Sequence, residues 1–570
     1  MTKLKWWQEA VFYQIYPRSF ADGNGDGIGD FIGMTEKLDY LADLGIDAIW
    51  LSPHFPSPQY DVGYDISDYT DVAPEYGTLE DFKRFLDGAH ERGIRVILDL
   101  VLNHTSHLHQ WFLESRSRRD DPKRDWYIWR DPASDGGPPN NWLSPFGGSA
   151  WEFDPATDQY YYHFFLKEQP DLNWRNQEVK KAMWDAVRFW LDMGVDGFRL
   201  DAIGTMYEHP EMPSHRSNLT EEEMRQVFKR GFPDGTDMQL VELWRLIYEY
   251  QVEQDGVHEL MQELRGVVDE YPDRVLVGEN DNVAYHGDGD NELHMVFNFP
   301  LMRTNRLTPA WIRSNQEIRH ATLPPGAWPC NTLNNHDSTR VFTRFGDGQN
   351  DDAIGRAAVA LMLTLRGTPF LYNGEEIGMS DYRLTDIDLL RDPPAVWFYH
   401  AVIADGTSPE EALILAADTS RDRCRTPMPW SNAANAGFSP EGVTPWLPLN
   451  PNYAQGINVA DQQNDRESML SFYKRLLHLR KQTPALIDGD YTPLNVSSTG
   501  YFAFLRCSLE TGQTCLVVLN LAEKSDTLKF DLPSQNVRCL FSTHTPAGES
   551  LSGEALQIAP FEIFIGELTF

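Results

Sequence analysis

Short apolar runs and longer amphipathic stretches alternate along most of this chain. Eight runs, at 11–16, 47–51, 95–101, 197–200, 274–278, 295–299, 332–334 and 369–372, are short, mostly apolar and bounded by polar residues, as buried strands are. Between them, 34–44, 78–92, 177–193 and 352–365 place their apolar residues at helical spacing. Eight strands separated by helices predict an α/β fold, a (β/α)8 TIM barrel. A doubly wound sheet is the alternative, although no glycine-rich fingerprint follows the first strand. Three segments are too long for ordinary connections. Residues 105–175, after the third strand and rich in Trp, Tyr, Pro and Gly, read as an inserted subdomain. Residues 204–260 follow the fourth strand with a polar loop (209–218) and then a helical stretch, and 380–460 follow the eighth. From about 484 the period changes to two, in 501–506, 514–521, 528–532 and 562–567, which predicts a C-terminal antiparallel β-sandwich over 484–570. The barrel itself then takes 1–104 and 176–483.

Four of the strands end in acidic segments: Asp99-Leu100-Val101-Leu102-Asn103-His104, Gly197-Phe198-Arg199-Leu200-Asp201-Ala202, Val277-Gly278-Glu279-Asn280 and Asn334-Asn335-His336-Asp337. A barrel gathers the C-terminal ends of its strands at one mouth, so these carboxylates are expected together. Arg199 and Asp201 stand two apart on a strand and face the same way. The arginine should lower the carboxyl's pKa and keep it ionised, which suits a nucleophile. Glu279 has no basic residue within three positions, and a carboxyl with less cationic support in a partly desolvated mouth suits a proton donor.

Composition narrows the partner. With 49 basic against 85 acidic residues the net charge is −36, which leaves no basic stripe for phosphates. Nucleic acid is excluded on that ground, an anionic membrane is disfavoured, and a neutral small molecule fits. Five cysteines, at 330, 424, 507, 515 and 539, show no disulfide or zinc spacing and read as free thiols of a reducing compartment. The first residues carry no apolar signal core and no later run is long enough to span a bilayer, so a cytoplasmic protein is expected.

The four acidic segments resemble the signature regions of the α-amylase family of glycoside hydrolases, and the resemblance runs over essentially the whole chain. Gln169-Pro170-Asp171-Leu172-Asn173 is similar to a segment of the oligo-1,6-glucosidase branch, and the stretch from Gly367 to Glu376 to the family's eighth-strand signature. Arg423-Cys424-Arg425-Thr426-Pro427-Met428-Pro429-Trp430 resembles a segment of α-glucosidases. The resemblance implies retention of α-configuration by double displacement. Asp201 would attack the anomeric carbon, Glu279 would protonate the leaving oxygen, and Asp337 would stabilise the charge that builds between them. It also implies that His104, Arg199 and His336 bind sugar hydroxyls and that Tyr64 stacks under the ring. Asp61 and Arg425 would form an ion pair closing the pocket behind the non-reducing end, so that single glucosyl units are removed. Phe146 and Phe165 are expected as pocket walls, and Asp99 and Asn103 as supports for the catalytic groups.

A second motif, Asp22-Gly23-Asn24-Gly25-Asp26-Gly27-Ile28-Gly29-Asp30, places oxygen-bearing side chains at alternate positions in a glycine-rich loop, like the first half of an EF-hand loop. The EF-hand's closing glutamate is absent, since the twelfth position is Gly33. The family resemblance implies a structural Ca2+ here, with Mg2+ as the alternative, held by Asp22, Asn24, Asp26, the Ile28 carbonyl and Asp30. For linkage, the Gln169–Asn173 segment favours α-1,6 bonds. Ala202 is small where 1,6-specific relatives resemble one another in carrying valine, and so favours α-1,4. The expectation is an α-1,4-preferring α-glucosidase with transglucosylation, acting on small α-glucosides as a monomer or homodimer. An oligo-1,6-glucosidase, or a transglucosylase or isomerase such as a trehalose synthase or sucrose-acting enzyme, is the alternative.

Overall fold

The computed structural model describes residues 3–569, apart from 218, 220–222, 225–226 and 228–237. Eight parallel strands form the central sheet: β1 (Phe12–Ile15), β2 (Ala48–Leu51), β3 (Arg95–Leu100), β4 (Gly197–Leu200), β5 (Val275–Gly278), β6 (Met295–Val296), β7 (Cys330–Thr332) and β8 (Thr368–Tyr372). Their order is β7-β8-β1-β2-β3-β4-β5-β6. A parallel bridge between Phe297 and Cys330 joins the two ends, so the sheet closes into the expected barrel.

Strand alternation decides what faces inward. Along β3, Val96, Leu98 and Leu100 pack outward into the main core under the helices. Ile97 points into the barrel with Phe12, Trp50, Val277 and Phe370. Asp99 continues the inward row one layer higher, and the register sets it directly beside Arg199 of β4. Gly197 opens β4 because nothing larger fits: it holds φ +148°, and a Cβ would stand 2.0 Å from the Val275 carbonyl oxygen.

The helices follow the predicted periodicity. Helix Leu79–Glu91 starts at Thr78, whose hydroxyl accepts from the Asp81 N–H while Asp81 returns to the Thr78 backbone. The expected helix at 34–44 is broken at Lys37 into Phe31–Glu36 and Leu38–Leu44. Two strands differ from the reading of the sequence. The sixth stops at Val296, because Phe299–Met302 forms a helical turn with Pro300 in its first turn. The seventh lies at Cys330–Thr332, earlier than 332–334, because Asn331, which faces the surrounding helices, is polar yet satisfied by donating to the Arg366 carbonyl.

Within 105–175 an antiparallel sheet of Trp129–Arg130, Gln159–Tyr162 and Trp151–Asp154 carries an aromatic core. The helical stretch expected after the 209–218 loop is described as Met238–Ile247, and part of that expectation lies outside the described residues. The C-terminal region is a six-stranded antiparallel sheet faced by a two-stranded one. Its alternation is visible on Tyr501–Cys507, where Phe502 and Phe504 join the core shared with the barrel helices and Ala503 and Leu505 join the local one. All five cysteines are free. No helix among the described residues is long and apolar enough to cross a membrane.

Candidate active site

The barrel places four inward or strand-end groups around one guanidinium. Arg199 is fully buried, with Nη1 2.7 Å from Asp99 Oδ1 and 2.8 Å from Asp201 Oδ1, and Nη2 2.7 Å from Glu279 Oε1. Its plane rests 5.0 Å above the Trp50 ring, and Trp50 Nε1 donates to Asp99 Oδ2 at 3.1 Å. Asp201 and Glu279 therefore share one guanidinium, at 2.8 and 2.7 Å from its two terminal nitrogens. Glu279 Oε2 also accepts the Ala202 N–H at 2.9 Å. Ala202 makes that contact from the left-handed region at φ 43°, which carries a strain cost that a non-glycine residue keeps only where its surroundings hold it.

The electrostatics separate the two carboxyls, by a route different from the one expected. Arg199 reaches Glu279 as well as Asp201, so Glu279 does not lack cationic support. Burial pushes Glu279 up to about 8 against Arg199, and the charges of Asp201 and Asp337 add to the rise. Asp201 is also raised by burial, to about 6, with Arg199 opposing; it is not held below the ordinary range as the sequence suggested. The order is nevertheless that of an ionised Asp201 beside a protonated Glu279 near neutrality. Burial works on Asp337 too, but His336, Arg425 and Arg421 hold its carboxyl well below the usual range.

The arginine that pairs with Asp61 is Arg421, not the expected Arg425. Arg421 Nη2 stands 2.8 Å from Asp61 Oδ1 and 2.7 Å from Asp392 Oδ1, and Nη1 is 3.4 Å from Asp337. Arg425 pairs instead with Asp337 and donates from Nε to the His336 carbonyl at 2.8 Å. Three arginines at alternate positions, 421, 423 and 425, share that segment, and spacing alone does not say which reaches Asp61. The short 3-10 helix Arg421–Cys424 turns Arg421 toward it.

His336 is held by Gln14 Nε2, 2.7 Å from its Nδ1, and by the Tyr64 hydroxyl, 2.5 Å from its Nε2. Tyr64 and His336 also stack, 5.4 Å between centroids. Burial keeps His336 neutral well below the ordinary histidine range and pushes His104 down to about 4. His104 Nε2 lies 3.1 Å from the Tyr64 carbonyl oxygen and 2.9 Å from Gln169 Nε2, and Gln169 also donates to Asp61 at 3.1 Å. Phe146 and Phe165 meet 5.3 Å apart, and the Arg421 guanidinium lies 5.3 Å over Phe146. Asp61, Tyr64, His104, Phe146, Phe165 and Arg421, with Asp201, Ala202, Glu279 and Asp337, line a cavity of about 360 Å³. Arg199, His336 and Arg425 stand behind its wall and act through the groups they touch. Asp392, Pro145, Pro394 and Thr419 also line it and carried no signal in the sequence; Asp392, Pro394 and Thr419 stand at the ends of the helices Pro393–Ala404 and Pro409–Thr419, in the long segment after β8 where no strand period points to the mouth.

No residue of the loop 22–30 lines that cavity. Asp22 accepts from the Gly25 and Gly27 N–H groups at 2.6 and 2.8 Å, and Asp30 from Gly33, Asn24 and Gly23 at 2.7–3.1 Å. Asn24 and Asp26 each cap the second residue after them. Among the described residues, no group of three or more His, Cys, Asp or Glu side chains is arranged to hold a metal. The five expected donors are all oxygens, the chemistry that suits a hard cation.

Comparison with known proteins agrees with this arrangement. The family model for the α-amylase catalytic domain matches residues 14–489. Among similar proteins, an oligo-1,6-glucosidase of Parageobacillus thermoglucosidasius is 39% identical over 543 residues, 92% of each chain. A probable α-glucosidase of Rhizobium meliloti is 41% identical over 530 residues, 92% of this chain and 90% of the other. The solved trehalulose synthase MutB of Pseudomonas mesoacidophila MX-45 superposes with a TM-score of 0.87 at 39% identity, covering the whole of both chains. With a closed barrel, a paired carboxyl site at its mouth and these relatives over nearly its full length, the chain belongs to the α-amylase family of glycoside hydrolases, in the branch of the α-glucosidases and oligo-1,6-glucosidases.

Proposed function

We propose that the protein is a retaining, exo-acting α-glucosidase that removes one terminal α-linked glucose from short oligosaccharides or glucosides, with α-1,4 preference. The observation that supports the reading is that Asp201 and Glu279 are drawn together on one guanidinium. Retaining enzymes hold their carboxyls about 5–5.5 Å apart, whereas inverting ones leave room for a water. Asp201, ionised, attacks the anomeric carbon. Glu279, protonated, gives its proton to the leaving oxygen, and then as a base activates water or a sugar hydroxyl for the second displacement. Asp337 stays ionised and stabilises the oxocarbenium-like charge between the two steps.

Exo action is supported by the ionic group of Asp61, Arg421 and Asp392 in the cavity lining, which would block a chain from continuing past the bound glucose. Small Ala202 at the cavity wall leaves space on the leaving-group side, which supports α-1,4 over α-1,6 bonds. The second reading, an oligo-1,6-glucosidase or a sucrose-isomerising enzyme, is favoured by the names of the relatives above. Product analysis by NMR with maltose, isomaltose, sucrose and trehalose, with and without glycerol, decides between them. α-Glucose released first from maltose supports the proposal; isomaltose cleaved much faster than maltose, or sucrose isomerised without hydrolysis, overturns it. A structural Ca2+ in the loop 22–30 is the companion proposal. It predicts that EDTA lowers Tm and that Ca2+ restores it better than Mg2+. The five unpaired thiols are those of a protein working in a reducing compartment, which supports the cytoplasm.

A further inference from the structure

The loops after β4 and β5 meet at a residue that contacts neither Asp201 nor Glu279. Glu253 lies at the end of the long segment after β4, and its backbone holds φ 55°. That is the left-handed region, retained at a non-glycine residue where surrounding contacts over-determine it. Those contacts go to both catalytic loops. The Glu253 N–H donates to the Gly204 carbonyl at 2.7 Å, three residues beyond Asp201. Its carboxylate accepts from Asn280 Nδ2 at 2.8 Å, from the Tyr285 hydroxyl at 3.1 Å and from Asn282 Nδ2 at 3.3 Å, all on the loop that carries Glu279. Gly204 makes room for this: a Cβ there would stand 2.4 Å from Glu253 Oε1 and 3.0 Å from Asn280 Nδ2. A carboxylate is an acceptor at both oxygens and so suits three converging donors, whereas an amide would turn an N–H2 toward one of them.

We infer that Glu253 is a positioning residue for the proton donor: by tying Asn280, Asn282 and Tyr285 to the turn after the nucleophile, it sets where the Glu279 carboxyl stands relative to the glycosidic oxygen. The inference rests on Glu279 as the proton donor. Displacement of a catalytic group by a fraction of an ångström is costly to proton transfer, while a leaving group that departs unaided does not need the proton. Glu253 itself is exposed, so its replacement leaves the barrel core intact.

The test is kcat/KM, which reports the first displacement, for maltose and for a series of aryl α-glucosides from phenyl to 2,4-dinitrophenyl, in wild type, Glu253→Ala, Glu253→Gln, Asn280→Ala and Glu279→Gln. Glu253→Ala should lose about 10- to 100-fold on maltose and less than about threefold on the dinitrophenyl glucoside. Glu253→Gln should fall between Ala and wild type, and Asn280→Ala, which cuts the same link from the other side, should steepen the leaving-group dependence in the same sense. Equal losses across the series, or none, overturn the inference. If Glu279→Gln itself shows no leaving-group dependence, the proton-donor reading falls and takes the inference with it. If only Glu279→Gln shows the dependence, that reading survives and the role of Glu253 does not.

Discussion

The shared guanidinium predicts a specific pH profile. Burial places Asp201 at about 6 and Glu279 at about 8, so the productive state, Asp201 ionised and Glu279 protonated, is bounded on both sides. At pH 7 each group is about nine-tenths in the required form, and the product of the two is about 0.8. At pH 5 Asp201 is about nine-tenths protonated, and at pH 9 Glu279 is about nine-tenths ionised, so kcat/KM should fall about tenfold at each end. The two-unit gap amounts to about 3 kcal/mol in favour of the proton on Glu279, which is what Arg199 alone, touching both carboxyls, would not supply. The limbs belong to the pair as a coupled system, so each must be assigned by a probe of one residue. Carbon-13 NMR of protein labelled at glutamate carboxyls, compared with Glu279→Gln, isolates the Glu279 resonance. Its midpoint should lie near 8 and match the alkaline limb of kcat/KM for maltose. A midpoint near the ordinary glutamate value of about 4.3 would refute the argument that burial and the neighbouring charges set the donor.

Three further perturbations follow from the same contacts. Arg421→Ala leaves Asp61 and Asp392 as buried, unpaired charges, so kcat/KM for maltose should drop by about 10²–10³-fold, about 3–4 kcal/mol, chiefly through KM; an unchanged KM in steady-state assays would count against its place in sugar recognition. Ala202→Val should raise the isomaltose-to-maltose ratio of kcat/KM by about tenfold, measured by competition, and lower Tm because a β-branched residue must hold φ 43°. Glu375, fully buried against the Tyr473 hydroxyl at 2.5 Å, is pushed up to about 7 by burial. Its folded pKa is above its unfolded value of about 4.3, so its contribution to stability is complete below that value and is lost as pH rises through 7. Glu375→Gln should therefore gain Tm relative to wild type between pH 5 and pH 8, and a constant difference in thermal melts across that window would sink the assignment.

What the sequence disclosed follows from how each residue is constrained. Strand residues are fixed by a period of two, so the alternation in 95–101 already sends Asp99 into the barrel and Val96, Leu98 and Leu100 to the helices. Asp201 and Glu279, directly after β4 and β5, inherit that precision, and Asp337, five residues past β7, reaches the same cavity through a longer turn. Residues in the long connections inherit nothing of the kind. Arg421 and Arg425 are four apart in an irregular segment, and only the 3-10 turn between them decides that the first reaches Asp61 and the second Asp337. Glu279 has no cation among its neighbours along the chain, while its cation comes from Arg199 on the adjacent strand. That last contact changes the physics of the site. An arginine shared by nucleophile and donor stabilises the ionised form of both, so it cannot assign them their roles. The assignment must come from what is not shared: the charge of Asp337 raises both carboxyls, whereas the ionised Asp201 adds its own charge to the causes that raise Glu279. On the proposed mechanism the ionised nucleophile itself helps keep the proton on Glu279 until the glycosidic oxygen takes it.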